Sequence, residues 1–382
     1  MDTVTLDLER QKSAKKYARI RQRLTLLDMG LTLAYLLAWL LFGWGFRLRE
    51  ALSAFTASPY LQVGIFAVVF GGISSLLALP MSYYSGIVLP RRYGQSNQTL
   101  RGWVIDQIKS LLISAVFGLL TVEAIYAVLR DNPANWWLWA AGLMLFFTVV
   151  MSILAPVVFM PLFNKFKPLG EEHADLAQRL MALAQRARAQ VRGVYQFDMS
   201  RRTKAANAAL TGLGGTRRII LGDTLLNEFT ADETETVLAH ELGHHVHKDI
   251  PLLIAFDTLV TLAGFWLAGQ CLAWGIDVFG FRGAADPAAM PLLALVLIVY
   301  GLVTMPLSNG FSRWRERLAD SYALEVTGNP AAFVSAMTRR ANQNLAEVDP
   351  EPWVEFLLYS HPALGKRIRM ALDQTRISPP AT

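Results

Sequence analysis

A chain of 382 residues is long enough for two soluble domains, but 53% apolar residues, only 17% charged residues and a mean hydropathy of +0.32 exclude that reading and point to a membrane protein. The net charge of +6 does not mark a nucleic-acid binder, because the basic residues cluster beside apolar segments and no nucleic-acid motif accompanies them. The single cysteine, Cys271, excludes both an intramolecular disulfide framework and a cysteine-based zinc site.

The first 24 residues are polar and basic, and the apolar run after them lacks a small-residue cleavage site, so no secretory signal is expected. A helix crossing about 30 Å of hydrocarbon needs about 20 apolar residues. Runs of that kind predict about six spans: Thr25 to Phe46, Tyr60 to Tyr83, Leu111 to Leu129, Trp136 to Phe163, Ile250 to Trp274 and Met290 to Leu307. The fourth contains Pro156 and Pro161 and is expected to kink or to leave the membrane early.

A polar region, residues 164–249, separates the fourth and fifth spans. It predicts a helix over Glu171 to Gln190, a strand over Val194 to Met199 and a hairpin turning at Gly212-Leu213-Gly214-Gly215. A second helix opens on Thr230-Ala231-Asp232-Glu233, a capping-box sequence, and Val237, Leu238 and Leu242 recur in it at helical spacing. Residues 308–382 follow the sixth span with a mostly helical pattern and a frayed tail from Ser378 to Thr382.

On the helix after Thr230 the chain reads His240-Glu241-Leu242-Gly243-His244. Residues four apart on a helix share one face, so His240 and His244 can chelate one ion. Neutral imidazole suits zinc, and Glu241 is placed as general base. Four of the chain's six histidines, His240, His244, His245 and His247, fall within eight residues, which argues against chance exposure. His245 and His247 point to other helix faces and receive no role.

A catalytic zinc takes three protein ligands and keeps one open position. The candidate for the third is Glu316, in Arg315-Glu316-Arg317-Leu318-Ala319-Asp320, on a helix expected directly after the sixth span. Asp320, one turn later, can accept the N–H of a ligating histidine. From spacing alone the same segment reads equally well as a solvated, charge-rich helix. The fold class expected is mainly α: a polytopic α-helical membrane protein with a small α+β zinc-peptidase domain. It divides into residues 1–163 with about four spans, 164–249 as the peptidase region, 250–307 with two spans, and 308–382 carrying the third ligand.

Several segments together resemble the type I CAAX prenyl proteases, membrane gluzincins related to the bacterial heat-shock membrane zinc proteases. They are Pro161-Leu162-Phe163-Asn164-Lys165-Phe166, Val237 through His244, Glu316 to Asp320, and Tyr359-Ser360-His361-Pro362; Tyr93-Gly94 with Thr99 and Asp106 also looks like a family loop. The resemblance implies that Glu316 is the third zinc ligand and Asp320 the aspartate behind it. It implies that Asn207 lies near the substrate-binding strand, and that His361 and Arg367 face the site. Two departures stand out: Ala363 replaces the second proline usual after His361-Pro362, and there are about six spans where eukaryotic members have seven.

The implied activity is that of a zinc-dependent membrane endopeptidase with one Zn2+ per chain, acting on peptides or membrane-associated proteins, prenylated C-termini among them. Glu241 would move the proton, His361 and Arg367 would stabilise the oxyanion, and Asn207 would hold the peptide beside an edge strand. Without the resemblance, Arg367 reads as a helix cation beside Lys366 and Arg369, and Asn207 as a turn residue. The alternative class is a transporter or channel built on Asp28, Glu123, Asp257 and Gln270, although no paired repeat supports it. Arg10, Lys12, Lys15, Lys16, Arg19, Arg21 and Arg23 predict a cytoplasmic N-terminus, and six spans return the C-terminus and active site to that side, at a bacterial inner membrane.

Overall fold

The computed structural model describes residues 4–212 and 216–377. Residues 213–215 of the expected hairpin turn, and the expected tail from Ser378, lie outside the described residues.

Six of the described helices are long and apolar enough to cross a membrane. The first, α1 (Leu8–Leu41), begins 17 residues before the expected Thr25 because Asp7 caps a polar extension, its carboxylate accepting the N–H groups of Glu9 and Arg10. It ends short of the expected Phe46 because Gly43 takes a left-handed φ of +64° and α2 (Trp44–Phe55) starts beyond it. The next long helices are α3 (Pro59–Tyr83), α4 (Leu100–Asp131) and α5 (Trp136–Leu154). Both α3 and α5 pass through one π-helical turn, Tyr84–Val88 and Ala155–Phe159, into short helical ends at Leu89–Arg92 and Met160–Phe163. Each π turn closes on the residue before a proline, Pro90 or Pro161, which cannot donate the next bond. The widened turn therefore takes the place of an early exit, and the fourth span stays helical to Phe163. Buried Trp39, Phe66, Tyr126, Trp136, Leu272 and Leu293 pack the membrane bundle.

Beyond α5 the chain builds a four-stranded sheet in the order β1-β2-β4-β3, from β1 (Phe166–Pro168), β2 (Val194–Phe197), β3 (Ala208–Thr211) and β4 (Arg218–Gly222). β1–β2 and β3–β4 pair antiparallel and β2–β4 parallel. The expected helix to Gln190 runs only over α6 (Ala174–Arg186), because Arg188 turns left-handed with φ +53°. The strand expected to reach Met199 stops at Phe197, where Met199–Arg201 form a 3-10 turn held by the Ser200 N–H donating to Asp223 at 2.7 Å. After α7 (Asp223–Glu228) comes α8 (Ala231–Val246), opened by the expected capping box: Thr230 Oγ1 accepts from the Glu233 N–H at 3.3 Å, and the Thr230 N–H donates to Glu233 at 2.8 Å.

The remaining elements are α9 (Asp249–Phe279), α10 (Met290–Thr327), α11 (Pro330–Gln343), α12 (Pro352–Leu358) and α13 (Leu364–Ile377). The sixth span and the helix expected to follow it are one: α10 continues unbroken for 38 residues despite Pro306, and Glu316 lies on its extension. Leu183, Ile219, Leu238 and Leu242 share one buried core with Leu324, Phe333, Met337 and Ala371, so the segments on either side of α9 close around a common centre.

Candidate active site

Two helices position the candidate ligands, His240 and His244 on α8 and Glu316 on α10. Helices α8 and α10 cross with their backbones almost touching at Gly243: a Cβ there would lie 2.8 Å from Ala319 Cα and 3.0 Å from Ala319 O. Only a glycine inside the His-Glu-x-x-His segment allows this approach, which brings Glu316 up to the two histidines. His240 Nε2 lies 3.3 Å from Glu316 Oε2, and His244 Nε2 lies 3.5 Å from Glu316 Oε1. One ligand atom from each of the three residues lies within 4.8 Å of the other two.

These residues fit a metal. Two ligands about 2.0–2.1 Å from a tetrahedral ion stand about 3.3 Å apart, close to the separations seen. Glu316 is 6% exposed and its Oε2 is buried with no hydrogen-bond partner among the described residues, a cost that a metal would remove. The donor set of two imidazoles and a carboxylate is of the kind that suits zinc.

Each histidine is held from behind. Asp320 Oδ1 lies 2.8 Å from His240 Nδ1, and Asp249 Oδ2 lies 2.7 Å from His244 Nδ1, which leaves both Nε2 atoms toward Glu316. Each aspartate is in turn held by a buried arginine. Arg367 donates to both oxygens of Asp320 at 2.8 and 2.5 Å, and Arg315 donates through Nε to Asp249 at 2.7 Å. The result is two parallel chains, His240–Asp320–Arg367 and His244–Asp249–Arg315. The sequence does not announce the second: Asp249 is the last residue of the polar region and Arg315 one of several cations in the charge-rich segment around Glu316. Asp249 reaches His244 because Lys248, at φ +56°, reverses the chain sharply between α8 and α9. Burial disfavours charge on His240, but the carboxylates of Asp320 and Glu316 beside its two nitrogens outweigh it and push the ring's pKa up to about 9.

The other expected site residues fall as follows. Glu241 is partly buried, and its carboxylate makes no hydrogen bond to a described residue. His361 is exposed at the mouth, with Nε2 3.3 Å from Glu316 Oε1 and Nδ1 2.9 Å from Ser360 Oγ. Arg367 differs from the expected oxyanion donor: it is 3% exposed, its Nη2 lies 3.4 Å from His240 Nδ1, and its guanidinium is committed to Asp320 behind the ligand. Asn207 is exposed at the head of β3, its carbonyl accepting from the Gly222 N–H at 2.9 Å. β3 is an edge of the sheet and packs beside α8. His245 is partly buried, and the His247 carbonyl accepts from Arg315 at 2.9 Å.

Two histidines and a glutamate converging at the end of a bundle of membrane helices define a membrane metallopeptidase. The chain belongs to peptidase family M48: residues 170–375 match that family, and residues 3–165 match the CAAX prenyl protease N-terminal family, described as five membrane helices. It is 32% identical to the uncharacterized metalloprotease YhfN of Bacillus subtilis over 94% of this chain and 84% of that protein. It is 31% identical to CAAX prenyl protease 1 of Saccharomyces cerevisiae over 83% of this chain and 73% of that protein. The crystal structure of S. mikatae Ste24p superposes with a TM-score of 0.85 at 26% identity, covering 97% of this chain and 92% of that one. The chain is therefore an integral membrane metalloendopeptidase acting on peptide or protein substrates. The transporter reading of Asp28, Glu123, Asp257 and Gln270 finds no support.

Proposed function

We propose that the metal is a single zinc ion held by His240, His244 and Glu316, and that Glu241 is the catalytic base. The observation that carries this is the convergence of those three side chains, with each histidine's Nδ1 taken by a buried aspartate. Zinc, when bound, polarises the scissile carbonyl and makes the attacking water more acidic. Glu241, one residue from a ligand and free of other bonds, takes the water's proton on its carboxylate and delivers it to the leaving amine. Asp320 and Asp249 keep the two imidazoles in the tautomer and orientation that ligation needs. Arg367 is a positioning residue in this scheme, fixing Asp320, while His361 at the mouth is the side chain available to the developing oxyanion. The head of β3, with Asn207, supplies main-chain groups that capture an extended peptide.

The basic N-terminal helix and the even number of spans support a cytoplasmic active site at a bacterial inner membrane. The kinship with CAAX prenyl protease 1 supports competence on prenylated C-termini, whereas the site itself demands only a flexible peptide near the membrane. The substrate class proposed is therefore broad: peptides and unfolded segments of membrane-associated proteins, prenylated ends included. The test compares a farnesylated peptide, its unmodified form and an unfolded membrane-protein fragment, with Glu241→Gln as the inactive control. Cleavage of all three is expected; strict dependence on the farnesyl group would reject the broad reading.

A further inference from the structure

One cation in the wall of the site, Arg340, has no side-chain partner among the described residues. Arg340 lies in the last turn of α11, and α11 is fastened to its neighbours on either side of that residue. At its middle and in the turn before Arg340, Ser335 Oγ and Arg339 Nε donate to Glu233 of α8 at 2.5 and 3.0 Å. Just past its end, Asn344 Oδ1 accepts from the Ala206 N–H at 2.9 Å, beside the head of β3. α11 also packs against α13, so Arg340 stands among the helix that carries Glu241, the helix that carries Arg367 and the head of β3.

Arg315 and Arg367 each hold a carboxylate, but the Arg340 side chain makes no hydrogen bond or ion pair with any described residue. Its side chain is partly buried, and the charges acting on it come from Arg367, Glu241, Glu316 and Asp320. His361 at the mouth feels it in turn. A half-buried cation without a counter-ion has lost hydration that nothing nearby replaces. An anion arriving in the cleft would supply the missing partner, and a guanidinium suits a carboxylate because it can bind both oxygens.

The sheet suggests which anion. β3 is the free edge beside α8. A peptide added antiparallel to β3, the commoner pairing, runs with its C-terminal side toward Ala208 and Asn207. That is the end tied to α11 through Ala206 and Asn344. We propose that Arg340 binds the free C-terminal carboxylate of the substrate, so that the site favours bonds close to a chain end. This rests on the peptidase reading above and adds to it a terminal-carboxylate subsite.

The test uses the zinc-loaded full chain in detergent and two peptides of one sequence, ending in a free carboxylate or in a carboxamide. A charged hydrogen-bonded pair lost from one substrate only is read as a preference of about tenfold to a hundredfold in kcat/KM for the free acid. Arg340→Met should bring the acid-to-amide ratio toward one, and Arg340→Lys should keep part of it. Zinc content per chain, measured on each variant, reports whether the site is intact. Equal cleavage of both peptides by the wild type would overturn the proposal. So would a loss in Arg340→Met that falls equally on acid and amide, which would make the residue an oxyanion donor instead. Cleavage of neither peptide by the loaded wild type would reject the peptidase reading itself, and this subsite with it.

Discussion

Gly243→Ala tests whether the crossing of α8 and α10 makes the metal site. The added Cβ would sit 2.8 Å from Ala319 Cα and 3.2 Å from Ala319 Cβ, against a comfortable carbon separation of about 3.5–4.0 Å. The two backbones must part by roughly 0.7–1.2 Å to accept it. His240 and His244 are on one helix and Glu316 is on the other, so the 3.3 and 3.5 Å ligand separations widen with the gap. Metal bond lengths tolerate only about 0.2 Å. Overpacking of this kind costs about 1–3 kcal/mol, less than a domain's typical stability of about 5–15 kcal/mol. The variant should therefore fold and lose zinc affinity by roughly fivefold to a hundredfold. Gly301→Ala, also on α10 but with no atom within 4 Å of the new Cβ, is the control. Competition against a chromophoric chelator measures the affinity, and circular dichroism checks the helices. Zinc binding by Gly243→Ala as tight as that of Gly301→Ala would refute the reasoning.

Asp249→Asn removes the charge that holds His244 and leaves Arg315 buried without its counter-ion; metal affinity or activity should fall about tenfold to a hundredfold, and wild-type values for both would remove Asp249 from the site. In protein stripped of metal, the His240 pKa of about 9 lies above its ordinary 6.5, so the ring is protonated throughout the neutral range and zinc must displace that proton. Apparent zinc affinity should then rise about tenfold per pH unit between pH 6 and 8, and a flat profile by the same competition assay would contradict it. For topology, a cysteine at the exposed position Gln178 of α6, in a Cys271→Ser background, should resist a membrane-impermeant thiol reagent in intact cells; efficient labelling from outside would reverse the orientation.

How legible the site was depended on how local its determinants are. The helix of His240 and His244 was readable because its cap at Thr230, its apolar spacing and its ligand spacing all lie within one stretch of chain. Glu316 needed the resemblance, since a glutamate in a charge-rich helix looks the same whether it meets solvent or a metal. The continuity of α10 was hidden because hydropathy falls after Leu307, while backbone hydrogen bonding does not depend on polarity. Asp249 was missed because its role rests on the left-handed turn at Lys248, a conformation that lysine does not advertise. Arg367 was placed at the site by its motif, but its direction is set by Asp320, 47 residues away in sequence. β1 is three residues long and contains Pro168, too little to show a strand period.

The central claim is that residues from two helices far apart in sequence hold one metal, and that an adjacent glutamate uses it without binding it. Zinc per chain, measured by elemental mass spectrometry on purified wild type, Glu241→Gln and Glu316→Ala, addresses both halves at once. About one zinc is expected in the wild type and in Glu241→Gln, and little in Glu316→Ala. Full zinc in Glu316→Ala, or equal loss from both variants, would contradict it.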